Sequence, residues 1–512
     1  MPGNPSYQWC FDEYPWLRKL HDFNDPYIVI KKAAQLGFTE YAINRSLFTL
    51  DQLKRNVLYA LPNERPDAMG FSKGRINPAA ELSPHIEGLF SVSKSEGHKI
   101  TKDGRNFYIR GANSPAGFRQ IDVGLVVLDE LDLMEEGMIG LALHRMDGQP
   151  EGQKQLIGLS TPSIDGKGID KEYTDSTQES YYFPCPSCSR LITLTYPECL
   201  VITAESPTDP KVLNSYLCCP KCKKELPHKA KPEFLRDGDW HALFPDRLRR
   251  GFYINQLFSC RLTPGEIAEH ALRGRYDLVA KTELYNSRLG LTFADDGAKI
   301  TDETLNNLRG EHINGEAADN FFVTMGCDVG QDRHHVCIMG WKFRPGSRDI
   351  LNSSKGRLLY FGTVETLGEA EELMKKWKPR MTVFDSQPDK QKTVALAKKW
   401  NGICYCCWYS LSKHTKDIQA KDEQSISVNR SFWLGKTFDL LQGKLIELPI
   451  DMNLEFRSHL MSTVKVYRAS DDGNPYTEFS KRDSVNDHYL HALNYAVIAL
   501  GKSAGGGTTE HY

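Results

Sequence analysis

Residues 27–50 read YIVIKKAAQLGFTEYAINRSLFTL, and this stretch decides the fold of the first half of the chain. Residues 27–30 are a short apolar run that reads as a strand, followed by a tight loop and then a helix. That order builds a phosphate loop when the backbone N–H groups opening the helix are left to face an anion. The common pattern is GxxxxGK[ST]. Here Gly37 is the second glycine and Thr39 supplies the hydroxyl, while Phe38 holds the usual lysine position. Lys32 stands where the first glycine would be, with Lys31 beside it, so a lysine reaches the phosphates from the front of the loop. Taken alone, the segment also reads as a basic turn capping a helix.

Moving outward, the apolar run 123–128 ends directly in Asp129-Glu130. Two adjacent carboxylates at the end of a buried strand suit an ATPase, with Asp129 holding the Mg²⁺ shell and Glu130 polarising water. An acidic helix cap is the structural alternative. A third strand, residues 155–159, ends in Ser160-Thr161-Pro162, which places hydroxyls where an open α/β sheet has its ligand crevice. These could sense the γ-phosphate. Arg119, in GANSPAGFRQIDVG, is a candidate for neutralising transition-state charge in its own or a neighbouring subunit's site, weighed equally against an ordinary surface arginine.

Cys185-Pro-Ser-Cys188 and Cys219-Pro-Lys-Cys222 repeat a CPxC pattern. Each pair turns both sulfurs toward one ion, and two pairs make a closed tetrahedral thiolate site for structural Zn²⁺. Cys218 is an alternative to Cys219, although the two-residue spacing favours Cys219; Cys199 reads as core. Residues 253–288 read as helical and basic.

A polar stretch over residues 302–320 separates this half from a second pattern. FFVTMGCDVG is a strand ending in Asp328, HVCIMGWKF and RLLYFGTV are neighbouring strands around a turn-rich segment (344–355), GEAEELMKKW is a helix, and MTVFDSQ is a strand ending in Asp385. RDSVNDHYLHALNYAVIAL closes the pattern as a helix with Asp487 near its start. Three carboxylates converging above a sheet repel unless cations are bound, the logic of a two-metal phosphodiesterase. Asp483, four residues before Asp487, falls on the same expected helical face and is an alternative third ligand. Asp332, His334 and His488 are candidates for a place beside the metals, with surface roles as the plainer reading of the histidines.

Composition sets the outer bounds. A chain of 512 residues suits two or three domains, and 40% hydrophobic residues can fill their cores. With 64 basic and 66 acidic residues the net charge is −2, so a basic nucleic-acid coat is not indicated, although local patches can still grip DNA. The 13 cysteines, odd in number and unevenly clustered, suit metal ligation and reduced thiols. No signal peptide and no run long enough to span a membrane are visible, and the chain reads as cytosolic.

The constellation KAAQLGFTE, VVLDE, CPSC…CPKC and three separated aspartates resembles the large terminase subunit of tailed bacteriophages, particularly the branch like that of phage lambda, over nearly the whole chain. The resemblance implies an α/β fold: a phosphate-loop ATPase domain (1–305) with a zinc-binding insertion (181–229), a linker (306–320), an RNase H-like nuclease domain (321–500) and a flexible tail (501–512). It assigns Lys32 and Thr39 to the phosphate loop with Lys31 as an alternative, Asp129 and Glu130 to Mg²⁺ and hydrolysis, and Ser160-Thr161 to coupling. Asp328, Asp385 and Asp487 become ligands for nuclease Mg²⁺ or Mn²⁺. It further implies ATP-driven packaging of double-stranded DNA into a procapsid and cutting of concatemers. The implied partners are a small terminase subunit and the portal, with a homo-oligomer acting in the host cytoplasm and no membrane. The competing functions are an ATP-driven helicase or remodelling nuclease, a recombinase or transposase, and a virion protein with an inactive ATPase remnant.

Overall fold

The structure, a computed structural model, describes residues 10–90, 93–113, 115–118, 121–317, 319, 321–343, 354–410, 418–422, 424–469, 475–483 and 485–504. Arg119, most of the expected turn-rich segment and the last eight residues of the expected tail lie outside them. The chain divides into two compact units, residues 1–293 and 294–512.

The first unit is built on a mainly parallel sheet. Its central strands are β1 (Tyr27–Lys32), β2 (Val57–Leu61), β3 (Asn106–Gly111), β4 (Leu125–Asp129), β5 (Gln155–Ser160), β6 (Glu179–Pro184) and β7 (Arg250–Ile254), in the spatial order β6-β7-β1-β5-β4-β2-β3. All neighbours in that series pair parallel; antiparallel strands Asp239–Ala242 and His98–Ile100 flank it. Parallel strands covered on both faces read as unbroken apolar runs. That explains VLYAL in β2 and LVVLD in β4, every residue of which is buried. β1 runs two residues past the expected apolar stretch, so Lys31 and Lys32 are strand residues. Tyr253 and Ile254, expected in a helix, instead complete β7, because the strand pairs with β1 through Ile254.

Helix α1 (Phe38–Asp51) follows the loop after β1. Gly37 opens it with φ 83°, and a Cβ there would come within 2.8 Å of the Tyr14 ring, so backbone geometry and space both demand glycine. Farther along, Leu200–Val201, Tyr216–Cys218 and Glu225–Leu226 form a small antiparallel sheet next to the cysteine pairs.

The second unit has its own mixed sheet. β8 (Phe322–Val329) sits at the centre; β9 (His334–Lys342) and β10 (Lys355–Val364) extend antiparallel on one side, while β11 (Met381–Asp385), β12 (Cys404–Ser410) and β13 (Ser425–Asn429) extend parallel on the other. The helices that bear on the site are α2 (Leu454–Met461) and α3 (His488–Ala504). Residues 294–305, assigned above to the first domain, contribute Ile300 and Leu305 to the core of this unit, together with Leu308.

Helix α3 lies on β8, β9 and β11 and is buried almost throughout, from Tyr489 to Leu500. Its approach depends on Gly326 in β8. A Cβ at that position would lie 2.1 Å from the Ala492 carbonyl oxygen and 2.3 Å from the Ala496 nitrogen. Beside it, Thr324 donates its hydroxyl to the Ala496 carbonyl at 2.9 Å and accepts the Trp341 indole N–H at 2.8 Å. Because α3 begins at His488, Asp487 immediately precedes the helix and Asp483 lies in a turn before it; the expected shared helical face does not exist. Gly326→Ala should displace α3 and destabilise the second unit by about 1–3 kcal/mol. Urea unfolding followed by tryptophan fluorescence reads this, and an unchanged midpoint would contradict the close approach.

Candidate functional site

Adjacent residues of a strand leave on opposite faces, and this separates the two lysines. Lys31 enters an ion pair with Asp170 at 2.5 Å, with both side chains buried and the ammonium near the rings of Tyr173 and Tyr253. Lys32 points the other way, into a cavity of about 680 Å³, where its ammonium is 3.8 Å from the Glu130 carboxylate. Lys31 is thus turned away from the cavity that the phosphate-loop reading gave it. Gly37, Phe38 and Thr39 line the cavity with Lys32, Glu130 and Thr161. The helix N-terminus therefore meets this space, as anion binding requires.

At the end of β4, Asp129 accepts hydrogen bonds from the Tyr59 hydroxyl at 2.7 Å and the Thr39 hydroxyl at 3.2 Å. Glu130 adopts φ 59°, a left-handed conformation rare outside glycine. Burial raises its carboxyl pKa, with Lys32 opposing the shift and Asp129 adding to it. Of the hydroxyl pair, Thr161 lines the cavity, but Ser160 is fully buried and accepts the Asp132 N–H at 3.3 Å. Asp132, absent from the sequence reading, accepts the Ser163 N–H and hydroxyl at 2.7 and 2.6 Å and the Ile169 N–H at 2.7 Å. Tyr59 was also missed, since a strand tyrosine carries no sign of its partner. Arg75 and Arg261 are further cations at the cavity, paired with Glu40 at 2.9 Å and Glu13 at 2.5 Å respectively.

The four expected cysteines come together, with one sulfur from each inside a 4.8 Å cluster. Cys185 and Cys222 sulfurs are 3.9 Å apart, and those of Cys188 and Cys219 are 4.0 Å apart. The two knuckles match each other. Ser189 and Lys223, just after each pair, are left-handed at φ 57° and 61°, and their N–H groups return to the carbonyls of Cys185 and Cys219. Ser187 and Lys221 donate backbone N–H groups to the Cys185 and Cys219 sulfurs, each at 3.4 Å. Such donors stabilise thiolates. Cys199 is buried beside Thr195, outside the set.

In the second unit Asp328 and Asp385 end the parallel neighbours β8 and β11, whose register pairs Cys327 with Phe384. Burial pushes the Asp385 carboxyl up to about 6, the Gln387 N–H opposes this, and the Asp328 charge adds to it. His488 donates from Nδ1 to Asp328 at 2.8 Å, and that bond raises the imidazole pKa. Asp487 is engaged differently: its carboxylate is 3.3 Å from His491 Nε2 and accepts the Thr463 hydroxyl at 3.5 Å. Burial would raise its pKa, but the His491 bond and the charges of His491, Arg430 and Lys481 hold it well below the carboxylate range. His334 is buried at the start of β9, and its neighbour His335 joins a ring cluster with His459 and His488 that no local pattern announces. Burial pushes the His335 imidazole down to about 3, with His488 and His459 adding to the shift.

Two family models match consecutive parts of the chain. The phage terminase large subunit gpA ATPase domain matches residues 4–240, and the terminase large subunit gpA endonuclease domain matches residues 249–345. Comparison with curated proteins returns no match. Among solved structures, the chain is similar to the HK97 bacteriophage large terminase at 13% identity, covering 92% of this chain and 90% of that one with a TM-score of 0.45. A large terminase from a thermophilic bacteriophage, in complex with ADP, is 15% identical over 94% of this chain and 96% of that one, with a TM-score of 0.32. The large terminase nuclease of thermophilic phage G20c, with bound magnesium, is 10% identical over 38% of this chain and 94% of that one, with a TM-score of 0.24.

Removing one partner of a buried ion pair leaves the other charge uncompensated. Lys31→Met should therefore cost about 3–5 kcal/mol in stability, much of it recovered when Asp170→Leu is added. Denaturant unfolding of the single and double variants measures this, and a single variant as stable as the parent would contradict the buried pairing.

Proposed function

The chain belongs to the phage terminase large subunit gpA family, which joins an ATPase domain to an endonuclease domain, and we propose that Lys32, Gly37, Thr39, Asp129 and Glu130 form its ATP site while Asp328, Asp385 and Asp487 form its nuclease site. It is a viral DNA-packaging motor subunit with ATPase and DNA-cleaving activities. The observation that carries the ATP assignment is convergence: the ammonium of Lys32, the opening of α1 and the Glu130 carboxylate meet at one cavity, with Asp129 bonded to Thr39 behind them.

Bound Mg²⁺ supplies charge neutralisation to the triphosphate and, in the nuclease, Mg²⁺ or Mn²⁺ supplies Lewis acidity at the phosphodiester. The residues present fit these ions, because Asp129 and Thr39 offer adjacent oxygens and the paired Asp328 and Asp385 raise each other's need for a cation. The N–H groups opening α1 would hold the phosphates of bound ATP, with the positive charge of Lys32 beside them. Glu130, its pKa raised by burial, takes the proton of the attacking water. Thr161, which lines the cavity, would meet the γ-phosphate of bound ATP, while Ser160 would act through the Asp132 segment it holds. Of the nuclease acids, Asp328 and Asp385 are the pair placed at adjoining strand ends; Asp487, just before α3 and bonded through Oδ2 to His491, completes the set. The four cysteines hold a structural Zn²⁺ whose closed thiolate shell takes no part in either reaction. Double-stranded DNA, a small terminase subunit and the portal of a procapsid are the partners we assign, with a homo-oligomer acting in the host cytoplasm.

The two sites should fail independently. Lys32→Ala should lower ATP turnover by on the order of 10²-fold and leave Mn²⁺-dependent DNA cleavage in place. Asp328→Ala should abolish cleavage and spare turnover; cleavage retained in the pure variant would sink the nuclease assignment. Elemental analysis of freshly purified protein should find a single zinc, lost in Cys188→Ser together with thermal stability, and a zinc-free stable protein would refute the cysteine assignment.

A further inference from the structure

Helix α2 presents Glu455 and His459 four residues apart, on one helical face. Opposite them stands His335 of β9, whose Nε2 is 3.9 Å from the Glu455 carboxylate. One ligand atom from each of the three residues lies within 4.8 Å of the other two. His335 is 1% exposed, and neither of its ring nitrogens has a hydrogen-bond partner. A buried imidazole orphaned at both nitrogens is costly, because its desolvated polar atoms gain nothing in exchange for lost water. It also remains free to donate a lone pair. His459 is 4% exposed, and its Nδ1 accepts the Tyr489 N–H at 3.5 Å, a long contact.

We propose that His335, Glu455 and His459 bind a divalent first-row transition-metal ion, at a site whose ligands are distinct from Asp328, Asp385 and Asp487. Two imidazoles with one carboxylate suit Mn²⁺, Co²⁺ or Zn²⁺, whereas Mg²⁺ prefers oxygen and retains its water. Three protein ligands leave room for water in the remaining positions. Arg333 donates to Glu455 at 2.6 Å from its half-exposed position and balances the carboxylate in the absence of an ion. The His488 ring stacks on His335 at 4.7 Å and links this site to Asp328. An ion here would therefore fix the wall of the cleavage site without belonging to its carboxylate set.

The test is Mn²⁺ titration of the full chain carrying one equivalent of Zn²⁺, enough for the four cysteines alone, with bound Mn²⁺ followed by electron paramagnetic resonance in the absence and presence of excess Mg²⁺. The expected result is a class of Mn²⁺ that excess Mg²⁺ does not displace. Glu455→Gln and His459→Gln should each weaken that class by at least about 10-fold. Asp385→Asn should remove only the Mg²⁺-exchangeable class. Complete displacement by Mg²⁺ overturns the proposal, as does a resistant class that survives both α2 variants or disappears with Asp385→Asn. Unfolding midpoints measured without added Mn²⁺ check that the variants fold. If His459→Gln does not fold, Glu455→Gln, at a partly exposed position, decides the outcome. Failure of the nuclease reading would appear as cleavage retained by Asp328→Ala, a separate measurement.

Discussion

Lys31 and Lys32 share one strand, and the period of two in that strand sends one ammonium into the protein's interior and the other into a cavity. Both outcomes depend on the same peptide register, because β1 is pinned on each side by a parallel neighbour. Lys31 is held to Asp170, at the helix following β5, and this fixes where β1 ends. Lys32 then emerges level with Glu130 and ahead of the opening of α1. The buried ion pair thus helps keep Lys32 in position. A slip of one residue would exchange their faces and leave a buried carboxylate without its cation.

The second unit solves the opposite electrostatic problem. Asp328 and Asp385 are brought together by adjoining strands, so their repulsion must be met by other charges. His488 meets part of it at Asp328, and His491 with Arg430 meets that of Asp487. The helix carrying both histidines, α3, can approach only because Gly326 has no side chain. Packing of α3 and charge balance at the carboxylates are therefore one requirement, set by a backbone contact in the middle of β8.

Much of this was legible in the sequence where a feature is local. The runs ending in Asp129 and Asp328 mark buried parallel strands by their lack of alternation, and the CPxC pairs declare their own turn geometry. The order of strand acid, hairpin, helix and strand acid also carried over to the second sheet. Features set by tertiary contact were not legible. Nothing local separates Lys31 from Lys32 until the strand is known to continue through both, and nothing marks Asp170 as a partner 139 residues away. The start of α3 was misplaced because its apolar periodicity resembles the polar turn before it once Asp483 and Asp487 are assumed to share a face. His335, Glu455 and His459 come from a strand and a helix distant in sequence, so their meeting required the fold.

The matched cysteine knuckles have a consequence for oxidation. Their backbone turns hold four thiols in opposed pairs at 3.9 and 4.0 Å before any ion is considered. Thiolates at that spacing have only a short distance to travel to a disulfide bond. If the four sulfurs hold Zn²⁺ as proposed, the ion would shield them, and its loss would open the module to cross-linking between Cys185 and Cys222 or Cys188 and Cys219. The geometry that suits these four sulfurs to an ion thus also suits them to oxidation.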